Sequence, residues 1–195
     1  MIGQIGPLVE GDRPQRRYMA LHISGGLMGG ALAGLLLGWL GQTLQLLVPT
    51  IAQGRLTILP AVLLATSVMD LSARRLSFLR GTRQTPGLWR CSFGPAGASL
   101  AWGVDLGAGV TTRLPYFALA GLFTYALLSQ SVLDATLVMG AYGIGRTAAV
   151  AASIEASPDR ARACTVLNSC SERLERVVAI ASALVAGALI GTLRL

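Results

Sequence analysis

Between positions 98 and 155 the chain is hydrophobic enough to cross a lipid bilayer twice, yet this stretch carries Asp105, Arg113, Asp134 and Arg146. An ionised side chain at the centre of a bilayer costs about 2.5 to 3.5 kcal/mol on insertion scales. Such groups are therefore kept where they pair, line a polar cavity or handle a solute. If one helix rises and the next descends at about 1.5 Å per residue, Asp105 and Arg146 come to similar depth and are expected to pair. Arg113 would then meet carbonyls freed by a helix break, Tyr142 or a bound anion. With the hydroxyls of Thr111 and Thr112, the candidate polar site inside the membrane is Asp105, Thr111, Thr112, Arg113, Tyr142 and Arg146. The same residues can serve as an ion pair locking two helices, and that alternative stays open. Asp134, beside the polar turn Ser129 to Ser131, reads as a solvated helix start.

Catalysis finds little to work with. The sole histidine, His22, falls at the edge of an apolar run and is expected to be interfacial. No Ser/His/Asp set or metal-ligand spacing can be assembled, so no catalytic residue, cofactor or metal is expected. Cys91, Cys164 and Cys170 form no C-x-x-C pair and lie in polar flanks. Gly140, Gly143 and Gly145 resemble a nucleotide loop in spacing alone, because no strand precedes them and an apolar helix contains them.

The elements that must hold the polar site are apolar spans. The chain is 53% hydrophobic and only 13% charged, against about 25% charged in a typical soluble domain, which indicates an integral membrane protein. Residues 1–17 form a polar leader without a cleavable signal sequence, and 18–195 a single transmembrane bundle with spans near 18–48, 56–71, 96–128, 132–154 and 177–193. Pro49 and the QGR stretch around Gly54 punctuate the first connection. The span 56–71, ending near Asp70, is short for a crossing of about 20 residues. The third span is longer than one crossing requires, and Gly103, Gly107, Gly109 and Pro115 mark a break in its middle. Ser157 and Pro158 signal the start of a short surface helix within 155–176.

Gly26, Gly30, Gly34 and Gly38 recur every four residues and so fall on one helix face, where another helix can approach closely. The fold expected is an all-α integral membrane protein of about five transmembrane helices with a broken third helix.

Its orientation follows from the arginines, which supply all 16 basic side chains against nine acids. Arg74, Arg75, Arg80, Arg83 and Arg90 crowd 72–95 with no acid between 71 and 104. Basic residues mark the cytoplasmic side, so the leader, 72–95 and 155–176 are expected inside, giving N-in and C-out. This clustering beside apolar runs also argues against a nucleic-acid partner.

WGVDLGAGVTTRLPY (102–116), MGAYGIGR (139–146) and RQTPGLWRCSFGP (83–95) together resemble the CcdA, DsbD and MauF group of membrane proteins, most closely over residues 80–155. The resemblance implies two inverted three-helix repeats that carry reducing equivalents across the membrane through a cysteine beside a proline in the first helix of each repeat. Thr111, Thr112 and Arg113 stand near that motif's position, and the cysteine is absent. Five spans fit a relative lacking its first helix. Dithiol exchange needs an attacking thiolate and a second sulfur, so the usual chemistry of the group is not expected from this chain alone.

Two functional classes follow. A structural or maturation subunit of a larger membrane complex, partnered by lipid and by other subunits or copies of itself, predicts that the glycine face and basic loop are covered by protein. A small-solute permease predicts a water-accessible site at Asp105, Thr112, Arg113 and Arg146. Both place the chain in the cell's inner membrane, and the first is favoured by the long glycine face.

Overall fold

The computed structural model describes residues 9–10, 13–14, 16–71, 89–109, 118–156, 177, 180–188 and 190. A two-residue antiparallel ladder comes first, β1 (Val9–Glu10) on β2 (Arg13–Pro14), with Val9 opposite Pro14 and Glu10 opposite Arg13. All other regular structure is helical: α1 (Arg16–Leu47), α2 (Pro49–Leu71), α3 (Trp89–Ala108), α4 (Ala118–Leu128) and α5 (Val132–Ala156). Residues 180–188 are also helical. By length and composition, α1 and Val132–Glu155 are each apolar enough to cross a membrane.

Local chemistry explains the helix ends. Proline disfavours helical backbone in the residue before it and has no N–H to donate, so α1 stops at Leu47, Val48 alone is non-helical, and Pro49 opens α2. This corrects the expected polar connection over 49–55: Gly54 and Arg55 lie inside α2. Gly94, at φ 66° and ψ 178°, breaks the regular backbone of α3 just before Pro95. The regular part of α3 thus begins at Pro95. At the start of α5 the Ser131 hydroxyl accepts from the Asp134 N–H at 3.2 Å, an N-cap, and Asp134 is exposed in the first turn.

The distribution of side chains is inverted relative to a water-soluble protein. Leu46 is 83% exposed, Leu133 66% and Trp39 64%, whereas His22, Ser99 and Thr147 are fully buried. Hydroxyls in the helices satisfy themselves. Thr43, Thr66, Ser67, Ser99, Thr124, Thr136, Thr147 and Ser153 each donate to a carbonyl four residues back. Such back-bonding leaves these hydroxyls without need of water.

The chain divides into two compact units. The first takes α1 up to Ala33, α3 and α5 from Leu137. Here α1 carries two adjacent glycine rows. Gly25 and Gly29 meet Leu100, Gly103 and Val104 of α3, while Gly26 and Gly30 meet Met139, Gly140, Gly143 and Thr147 of α5. From His22 beside Ser99 to Gly26 beside Gly107, α1 and α3 advance together; from Thr147 to Met139, α5 runs against α1. Three glycines from three helices converge: a Cβ added at Gly107 would lie 2.8 Å from Gly26 Cα, and one at Gly143 would lie 3.4 Å from Gly107 Cα. Met19, Trp102, Ala151 and Ile154 form the apolar core of this unit.

The second unit takes the rest of α1, α2, α4 and the start of α5. Gly38 packs on Val132 and Ala135, Gly41 on Leu127, and Gly121 of α4 on Leu63 of α2. Gln42 Nε2 donates to Gln130 O at 3.0 Å, and Gln45 Nε2 to Leu127 O at 3.2 Å. Two side chains of α1 thus hold the end of α4 and the turn that follows.

Candidate functional site

The polar residues gather where α3 ends. Its last helical residue is Ala108, followed by Gly109 at φ 72°. A left-handed glycine just past the last turn is a common helix stop, and the last four carbonyls of a helix have no partner N–H within it. Leu106 supplies one of these carbonyls. The next described helix, α4, begins at Ala118, and the expected break beyond Gly109 falls outside the described residues. Thr111, Thr112, Arg113 and Pro115 fall outside the described residues.

Tyr142 and Arg146 stand one turn apart on α5, which places them on one face. Arg146 Nη1 donates to Tyr142 Oη at 2.9 Å and to Leu106 O at 3.3 Å. The guanidinium carbon is 5.9 Å from the centre of the Tyr142 ring. A cation at the carboxyl end of a helix complements the partial negative charge of its orphan carbonyls. Arg146 therefore closes the end of α3, the role expected of Arg113.

Asp105 is half-buried and within electrostatic reach of Arg146. The direct Asp105–Arg146 ion pair expected from the sequence is absent: among the described residues the pair within 4 Å is Arg16 with Glu155, at 3.5 Å on an exposed surface. The guanidinium reaches Leu106 O and Tyr142 Oη instead, both through Nη1. Asp105 has no hydrogen bond or ion pair among the described residues.

No family model matches the chain, and neither does any curated protein or solved structure. Its function is argued from the site alone.

Of the other residues singled out, Gly26, Gly30 and Gly38 are in tight interhelical contacts and Gly34 is buried. The glycine face is thus covered, over these contacts, by the chain's own α5. Gly143 brings α5 onto both α1 and α3, Gly140 packs on Leu27 and Ala31, and Gly145 has nothing within 4 Å of an added Cβ. Among the described residues no three His, Cys, Asp or Glu side chains gather as a metal site. Cys91 lies in the first turn of α3, whereas Cys164, Cys170, Ser157 and Pro158 lie outside the described residues.

The burial of His22 is the feature that the sequence left unstated. This residue is buried against α3, with Nδ1 3.3 Å from Ser99 O and its ring centroid 4.4 Å from that of Trp102. The available signal was its spacing: His22 precedes Gly25 and Gly26 by three and four residues, which puts it on the packed face of α1.

Proposed function

We propose that this chain is a multi-pass inner-membrane protein that handles a small solute bearing hydrogen-bond donors, at the carboxyl end of α3. The observation that carries the reading is Asp105: a half-buried acid in the last turn of α3, without a hydrogen bond or ion pair among the described residues. An acid left unengaged within apolar helices is a functional site by default, and broken helices recur at the solute sites of membrane transporters. In this reading five spans run N-in and C-out, with 72–95 and 155–176 cytoplasmic. The chain is then a divergent relative of the CcdA, DsbD and MauF group without its thiol chemistry. Arg146 holds the end of α3 in place.

Cysteine accessibility tests it. A chain free of native cysteines and carrying Asp105→Cys, reconstituted in lipid vesicles, is expected to react with a membrane-impermeant thiol reagent added to the aqueous phase. Complete protection, with an exposed leader cysteine labelled in the same preparation, rejects a solute site there.

The second reading is a structural or maturation subunit of a larger membrane complex. Gly145 favours it, as the open member of an outward row with Ala141 and Ala149 on α5. Since Gly26, Gly30 and Gly38 are occupied by the chain itself, this row replaces them as the face for another subunit or a second copy. Purification of the native protein in mild detergent, with mass spectrometry of what co-migrates, tests this reading: stoichiometric partners favour it, and a chain that migrates alone disfavours it.

A further inference from the structure

His22 is the single histidine of the chain and is fully buried. Its hydrogen-bonding state follows from one contact. A carbonyl oxygen only accepts, so the 3.3 Å approach of Nδ1 to Ser99 O requires the hydrogen to sit on Nδ1. In the neutral ring Nε2 is then a bare lone pair. Nε2 has no hydrogen-bond partner. Trp102 covers the ring, and the backbone beside it is in close contact: a Cβ added at Gly103 would lie 3.0 Å from the His22 carbonyl carbon and 3.1 Å from Gly25 Cα. So close an approach of α1 to α3 favours a ligand no larger than a proton.

We infer that His22 Nε2 is a proton-binding site, and that filling it is linked to separation of α1 from α3. A proton on Nε2 converts the ring to an imidazolium with two donors. Ser99 O satisfies one of them. The other has no acceptor in the closed packing, and a buried charged donor without an acceptor is among the most unfavourable arrangements in a protein. Moving α1 off α3 gives that donor access to water or to another oxygen. By linkage, proton uptake and helix separation promote each other to the same extent.

The other titratable or charged groups of the packed elements are Arg16, Arg17 and Tyr18 on α1, Arg90, Cys91 and Asp105 on α3, and Asp134, Tyr142, Arg146 and Glu155 on α5. None hydrogen-bonds His22. Arg146 is engaged by Leu106 and Tyr142, and Glu155 by Arg16. The inference does not depend on whether Asp105 meets a solute.

Because the chain has one histidine, nitrogen-15 histidine labelling of the full chain in lipid nanodiscs yields a single ring to follow. At neutral pH the ring is expected as the neutral Nδ1–H tautomer. On acidification, Nε2 gains a proton. Over the same range, amide hydrogen exchange in 19–30 and 99–107 accelerates by about tenfold or more. His22→Gln keeps a donor for Ser99 O and removes the proton site, so the acceleration disappears. An Nε2–H tautomer at neutral pH, a ring that stays neutral throughout, or protonation with unchanged exchange each overturns the inference. The wild-type titration decides alone if His22→Gln does not fold.

Discussion

Arg146 of α5 and the carbonyl of Leu106 in the last turn of α3 lie 3.3 Å apart, so one guanidinium joins two helices at the point where one of them stops. Arg146→Met removes the cation and leaves both Leu106 O and Tyr142 Oη without this donor. The expected loss is about 1 to 3 kcal/mol, read as a lower unfolding midpoint in detergent. Arg146→Lys should recover only part of it, because a single ammonium on a flexible stem does not reproduce the planar fork of donors.

The same geometry separates Asp105 from Arg146. Asp105→Asn and Arg146→Gln, made singly and together, should change stability almost additively, with a coupling below about 1 kcal/mol. A larger coupling would restore the ion pair that the sequence suggested.

Backbone contact at the glycines sets a sharper expectation. Gly143→Ala places a Cβ 2.9 Å from the Gly26 carbonyl carbon and should cost about 1 to 3 kcal/mol. Gly145→Ala, with nothing within 4 Å of the added carbon, should instead be neutral or stabilising by up to about 1 kcal/mol. Thermal melts of the two variants in one detergent compare them directly.

Gln42 and Gln45 give a fourth test. Alanine at either should cost about 0.5 to 1.5 kcal/mol through the lost bonds to Gln130 O or Leu127 O. The protection of amides in 127–131 against hydrogen exchange should fall in both variants.

Much of the frame was legible from side-chain chemistry. The start of α5 follows from Ser131 as a cap, and the end of α3 falls where Gly107 and Gly109 precede a proline. The four-residue glycine repeat announced close packing, although it hid a second row, Gly25 and Gly29, that serves a different helix. The partner of Arg146 was not legible, because a carbonyl belongs to every residue and no letter marks the one left without an N–H. The burial of His22 was not legible for a related reason: it depends on which helix covers α1, a tertiary fact. The connection at 49–55 failed because Pro49 was read as a break in the chain's course, when it serves as the first residue of the next helix.

The convergence of Gly26, Gly107 and Gly143 has a genetic consequence. Close to a Cβ added at Gly107 or Gly143 lie atoms of the Gly26 backbone, and close to one at Gly29 lie atoms of the Val104 backbone. No neighbouring side chain can be shortened to make room there. Loss of function from a larger residue at these positions should therefore resist second-site suppression by a compensating small residue and revert chiefly at the original codon. Gly121, whose nearest neighbour is the flexible end of Leu63, should by contrast be rescued by trimming that leucine.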